Sequence, residues 1–225
     1  MSVVGDTIDW LTASINHSGP DGIPHRVVEH LEYTGETLAI AAAIAIPIGL
    51  WIGHTGRFRS VAVALTGALR ALPTLGLLTA LALIVGIGLT APLIALVVLA
   101  VPPLLAGAYA GVESVDRQTI DAARAVGMTE MQILRQVEIP LALPIIVGGV
   151  RSAALQVVAT ATVAAYVGLG GLGRYLIDGQ AVSDYAQMAG GSVLVIAMAL
   201  VLDAVLGTLQ RLATGRRPQQ QTTSA

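Results

Sequence analysis

The chain has 225 residues, 55% of them hydrophobic and only 12% charged, about half the charged fraction of an ordinary soluble domain. Lipid is therefore the expected solvent, and a net charge of −2 excludes a partner bound by bulk charge, such as nucleic acid. With no cysteine there is no disulfide and no thiolate metal centre.

Residues 1–32 form a polar segment with an amphipathic stretch near Val27–Leu31. Met1–Leu11 holds Asp6 and Asp9 but no basic cluster, so a cleavable signal peptide is not expected. A bilayer core of about 30 Å needs roughly 20 mostly apolar helical residues. Five segments meet that need: Tyr33–Gly53, Val61–Gly88, Ala91–Gly111, Leu143–Val167 and Met188–Leu212. The second is long for one crossing and is interrupted at Pro73, so it reads as a single broken or tilted span.

Arginine placement sets the orientation. Five crossings put Arg57, Arg59, Arg117, Arg124, Arg135, Arg211, Arg216 and Arg217 on one side, and only Arg26 and Arg174 on the other. Positive residues stay in the cytoplasm. The expected topology is N-out and C-in, with residues 33–212 as one all-α integral membrane domain and a disordered cytoplasmic tail over 213–225.

Between the third and fourth spans lies a polar cytoplasmic loop, 113–140. Its periodicity is helical: Ile120, Ala123, Val126 and Gly127 share one face, and Met131, Leu134 and Val137 another. Gly127 divides two short helices, with Thr129 placed to cap the second. The loop carries no nucleophile–base pair, metal cluster or phosphate loop, so the chain is not expected to be an enzyme.

Here the sequence resembles the permease subunits of binding-protein-dependent ABC importers. Their hallmark loop reads Glu-Ala-Ala, three residues, Gly, nine residues, Ile-x-Leu-Pro. In this chain Asp121-Ala122-Ala123 is followed by three residues and Gly127, and nine more lead to Val137-Glu138-Ile139-Pro140. Asp for Glu, Val for Ile and Ile for Leu are conservative departures. The resemblance covers Val28 to Leu212 and implies the five-span type I importer permease core. It also implies a coupling helix that docks on a separate ATPase subunit, through Asp121, Ala122, Ala123, Arg124, Gly127, Met128, Met131, Leu134 and Pro140. Two ATPase subunits, a second permease (identical or homologous) and an extracytoplasmic binding protein are the implied partners in the bacterial cell membrane. ATP and magnesium belong to the ATPase, and no cofactor to this chain.

The segment Val167-Gly168-Leu169-Gly170-Gly171-Leu172-Gly173 and the earlier Leu72-Pro73-Thr74-Leu75-Gly76 resemble the osmoprotectant branch, whose substrates are glycine betaine, carnitine, choline and proline. Methionine or another amino-acid-like solute is the alternative cargo. An ion-driven transporter or channel is a different class of reading, and it leaves the polar loop unexplained.

Other signals read as structural. Gly168-x-Gly170-x-x-Gly173 spells a dinucleotide fingerprint but follows a membrane helix where a strand is required, so it reads as a tight turn. His17, His25, His30 and His54 lack ligand spacing and are expected to be solvated. Gly107-x-x-x-Gly111 is a helix-packing motif. Arg151 and Asp203, inside the fourth and fifth spans, are expected to pair, because intramembrane charges are costly. Arg70 is expected to snorkel or cap a helix break. Pro73, Pro102 and Pro103, with Gln156, Thr160, Thr162 and Tyr166, mark an expected translocation pathway, since helix breaks at membrane depth survive where backbone lines a cavity.

Overall fold

A computed structural model describes residues 2–86 and 88–214, with side chains as far as Arg211. The tail from Gly215, with Arg216 and Arg217, lies outside the described residues.

The described chain is helical throughout, without a strand. α1 (Val3–Thr12) opens behind Ser2, whose Oγ accepts the Gly5 N–H at 3.2 Å. The sequence reading gave no helix here. α2 (Ile23–Thr55) then runs 33 residues without a break. It starts behind Gly22 with Pro24 in its first turn, where a missing N–H costs nothing. It ends at Gly56, whose φ of +67° suits a residue without Cβ. The amphipathic stretch Val27–Leu31 is therefore the opening of α2 rather than a separate helix. At 1.5 Å per residue α2 is roughly 50 Å long, well over the bilayer core.

α3 (Arg59–Arg70) and α4 (Thr74–Val85) fill the second segment, and they meet at 88° across the break at Pro73. Each is about 18 Å long, too short to cross alone. α5 (Thr90–Glu113) follows, then α6 (Arg117–Ala125) and α7 (Glu130–Ile133) in the polar loop. A π-helical turn, Leu134–Glu138, joins α7 to α8 (Ile139–Ala164). After a 3₁₀ turn come α9 (Gly173–Val182) and α10 (Tyr185–Thr214). Four helical stretches are long and apolar enough to cross a membrane, or five if the bent α3–α4 pair counts as one.

α5 is the centre of the bundle, flanked by α2 and α8 and touched by α3 and α4. Small residues permit that packing. A Cβ on Gly49 of α2 would stand 2.6 Å from the Ala108 Cβ, and one on Gly53 2.7 Å from the Val112 Cβ. On the other side of α5, a Cβ on Gly107 would stand 2.7 Å from the Gly149 Cα. Gly111 sits against Ala142. The expected helix-packing motif thus faces α8. Ala41, Ala45, Ala100, Leu104, Ala153 and Val157 close the core between these helices.

α10 lies outside, against α8, α9 and α1. It leaves Val193, Ile196, Leu200, Val201, Val205 and Leu209 exposed, an apolar face suited to lipid. Trp10 of α1 packs edge-on to Tyr175 of α9, centroids 5.0 Å apart, and against Gly190 of α10. The N-terminal helix is thereby part of the bundle.

Candidate functional site

Three features carry functional interest: the polar loop, the charged ties that hold its base, and the polar groups among the helices.

The loop is a small folded unit. Asp116 accepts the Gln118 N–H at 3.2 Å and starts α6. Gly127, at φ +86°, turns the chain where any Cβ would be strained. Thr129 and Gln132 then form a capping box: the Thr129 N–H donates to Gln132 Oε1 at 2.8 Å, and the Gln132 N–H to Thr129 Oγ1 at 3.4 Å. Ile120, Ala123 and Ile133 meet Val115 in a miniature core, with Met128, Val137 and Leu141 against it.

That core corrects the face assignment made from periodicity. Val126 does not join Ile120 and Ala123; it is 80% exposed, because α6 ends at Ala125 and the chain has begun its turn. Met131 is 54% exposed, while Ile133, absent from the expected apolar set, is fully buried. Asp121, Ala122, Arg124, Gly127 and Pro140 are also exposed, whereas Ala123 is buried and Met128 and Leu134 are half-buried. The surface offered outward therefore centres on Ala122, Val126 and Met131, ringed by charge. Arg124 donates to both Glu130 oxygens, at 2.9 and 3.1 Å, and to Asp121 at 3.3 Å.

The loop is not hinged on its far side. Glu130 to Val167 is one continuous helical stretch. Pro140 has no N–H to offer the preceding turn, and the π turn absorbs the defect: the Ile139 N–H reaches the Leu134 carbonyl, five residues back. The knob thus stands on the end of a rod that enters the bundle as α8.

The base of that rod is tied to α2. His54 Nδ1 donates to Glu138 Oε2 at 2.5 Å, and His54 Nε2 lies 3.4 Å from Glu130. Glu138 is 3% exposed. Arg59 at the start of α3 meets Glu113 at the end of α5, 2.6 Å apart. His54 is therefore not the solvated side chain expected; the packing of α2 against α8 brings its last turn to the π turn.

His30 departs further from expectation and is fully buried. Its Nε2–H donates to the Val158 carbonyl at 3.1 Å, and its Nδ1 accepts the Leu172 N–H at 3.3 Å. Those two bonds define the tautomer and tie α2 to α8 and to the glycine turn. Beside it, Glu29 accepts the Gly171 N–H at 3.0 Å, and Arg26 pairs with Glu29 at 2.7 Å. A Cβ on Gly170 would stand 2.8 Å from the Glu29 carboxylate, and one on Gly171 3.0 Å from His30 Nδ1. The GxGxxG spelling is a docking turn for α2. Sequence spacing could not reveal His30, whose partners are 128 and 142 residues away.

Among the helices, Arg151 of α8 grips Asp203 of α10 with bonds of 2.7 and 2.9 Å from Nη2 and 3.0 Å from Nε. Its Nη1 donates to Gln210 Oε1 at 3.1 Å, and Gln210 Nε2 donates to the Pro144 carbonyl at 2.7 Å. The expected pathway residues are divided. Gln156 lines a cavity of about 370 Å³ with Leu72 and Thr74, the neighbours of Pro73, and with Pro103. Pro102 is buried in α5 and Thr160 donates to the Gln156 carbonyl at 2.7 Å, so neither lines it. Tyr166 lies apart, on a cavity of about 490 Å³ with Thr79, Gly168 and Arg174. Arg70 is exposed in the last turn of α3, at the break before Pro73, and lines the first cavity.

An all-helical bundle with a glycine-packed centre, several helices long and apolar enough to cross a membrane, a bent helix pair and a polar knob has the architecture of a membrane transport subunit. Residues 45–217 match the family model described as the binding-protein-dependent transport system inner membrane component, and the chain belongs to that family. Permeases of this family are non-catalytic, membrane-embedded subunits of ABC transporters, with ATP hydrolysis on a separate subunit. The chain is 32% identical over 183 residues to the carnitine transport permease protein OpuCD of Listeria monocytogenes serotype 1/2a (strain 10403S), covering 81% of this chain and 82% of that one. It is 29% identical over 190 residues to the glycine betaine/carnitine/choline transport system permease protein OpuCB of Bacillus subtilis (strain 168), covering 84% and 88%. Among solved structures it resembles an inward-facing MetNI methionine ABC transporter chain, at 26% identity and a TM-score of 0.75, over 86% of this chain and 96% of that one.

Proposed function

We propose that this chain builds the membrane pathway of an ATP-driven importer for compatible solutes, quaternary ammonium compounds and proline among them. It crosses the membrane five times, N-out and C-in, with α3 and α4 as one bent span. The loop face lies in the cytoplasm, where the knob of Ala122, Val126 and Met131 docks on an ATPase subunit that holds ATP and magnesium. Two ATPases, a second permease and an extracytoplasmic binding protein complete the machine.

The observation that carries this reading is the exposed apolar pair Val126 and Met131 on a unit with its own core, capped and joined without a hinge to α8. A push on the knob moves a whole helix, because helices are stiff and a continuous one transmits displacement. Membrane cargo is supported by the carnitine and glycine betaine permeases to which the chain is similar. The likeness to the methionine transporter supports the fold; methionine remains the second cargo to assay.

Co-purification with the candidate ATPase tests coupling. Gly127→Trp, strained at positive φ, and Val126→Glu, which leaves the miniature core untouched, are both expected to abolish it. Assembly and transport unaffected by both would overturn the reading. Uptake of radiolabelled glycine betaine against methionine by the reconstituted complex decides the cargo.

A further inference from the structure

The cavity of about 370 Å³ at the α3–α4 break has a composition that packing does not require. Its walls include Arg70, Thr74, Leu99, Pro103, Ser152 and Gln156. Leu99 and Pro103 stand near the middle of α5, and Ser152 and Gln156 near the middle of α8. The site is thus at mid-height of the two central helices, where an uncompensated charge is most costly.

Arg70 is exposed on the cavity wall. Arg151 of α8, by contrast, is held by Asp203. Among the described residues no carboxylate pairs with Arg70, and the Gln156 side chain also makes no hydrogen bond. A guanidinium, a primary amide and two hydroxyls therefore line one small space. Its volume lies within the range of small-molecule sites, about 300–1,000 Å³.

Resting on the importer reading above, we propose that this cavity is a solute-binding site in which Arg70 takes the carboxylate of a small zwitterion. Guanidinium is the side chain best suited to a carboxylate, through two parallel hydrogen bonds. The Gln156 amide oxygen and the Thr74 and Ser152 hydroxyl oxygens supply negative partial charge for the cationic end. Glycine betaine, carnitine and proline carry both ends. Choline has the cation without the carboxylate and meets only repulsion from Arg70, so this pathway favours the carboxylate-bearing solutes over choline.

The absence of cysteine makes a direct test possible. Ser152→Cys places this chain's only thiol on the cavity wall, in the complex in nanodiscs, with the unsubstituted complex as the background. Its rates with the anionic ethylsulfonate and cationic trimethylammonium methanethiosulfonates then report the local charge. The anionic reagent is expected to be favoured. Arg70→Gln in the same background should shift the ratio by roughly tenfold toward the cation, the effect of one nearby charge, while Arg70→Lys should hold it. Glycine betaine is expected to slow modification and choline to leave it unchanged. A ratio indifferent to Arg70→Gln, equal protection by the two solutes, or a thiol inert to both reagents would each overturn the site. ATP-dependent uptake by the same complex reports the importer reading separately, since the thiol rates need no ATP.

Discussion

His54 Nδ1 stands 2.5 Å from Glu138 Oε2, joining the last turn of α2 to the π turn beneath the polar knob. The contact makes the cytoplasmic end of one proposed span and the root of another a single mechanical unit. Removing one partner strands the other's polar atoms in a nearly closed site. His54→Ala or Glu138→Ala should each destabilise the permease by about 3 kcal/mol, read as a lower unfolding midpoint of the purified complex. The double variant should cost less than the sum of the two. Additive losses would show that the pair acts through other neighbours.

Gly149 and Gly148 are adjacent in α8 but differ in their surroundings. A Cβ on Gly149 would stand 2.9 Å from Gly107 Cα and from the Pro103 carbonyl oxygen, whereas none of the atoms around Gly148 comes within 4 Å. Gly149→Ala should therefore cost about 1–3 kcal/mol by overpacking. Gly148→Ala should be neutral or slightly stabilising, since alanine is the better helix former. Thermal unfolding of the two variants side by side checks the α5–α8 crossing.

The Arg151–Asp203 pair predicts reciprocity. Asp203→Asn and Arg151→Gln should each lower the yield of folded protein in the membrane, because each leaves a charge without its counter-ion. The swap Arg151→Asp with Asp203→Arg should recover much of that loss, measured by fluorescence-detected size exclusion. No recovery would point to Gln210 and the Pro144 carbonyl as the partners that matter.

Tyr175 supplies a pH-dependent readout outside the spans. Burial pushes its phenol up to about 12, and its hydroxyl donates to the Asp21 carbonyl at 2.6 Å. A raised folded value means that the stabilisation is complete below the unfolded value of about 10 and is lost as pH rises through about 12. An alkaline titration followed by tyrosinate absorbance should show a late component that Tyr175→Phe removes. The same substitution should make stability flatter between those two values.

Sequence reasoning reached the elements governed by local chemistry. The apolar runs, the break at Pro73, the glycine elbow and the Thr129 cap depend on neighbours a few residues away, and periodicity or turn chemistry exposes them. The hallmark loop, from Asp121 to Pro140, was legible for the same reason, and with it the family. Local reading failed where a residue's environment comes from distant chain. His30 and His54 passed for solvated residues because nothing near them in sequence tells that Val158, Leu172 or Glu138 will close over them. α1 escaped notice because a short polar-flanked segment shows its worth only when Trp10 meets Gly190 and Tyr175. Val126 is grouped with Ile120 and Ala123 by a period that continues past the point where α6 stops.

By itself the sequence determined the solvent, the helical class, the polar knob and the type of machine, since each is written in composition or in contiguous residues. Only the tertiary structure decided which of the charges among the helices are paired. Ion pairing at membrane depth depends on which faces two helices turn to each other, and helix crossings are set by close contacts such as Gly107 on Gly149. Arg70 and Arg151 look alike in sequence, each a lone arginine within an apolar run. The fold gives Arg151 a carboxylate on α10 and gives Arg70 an open cavity between α5 and α8.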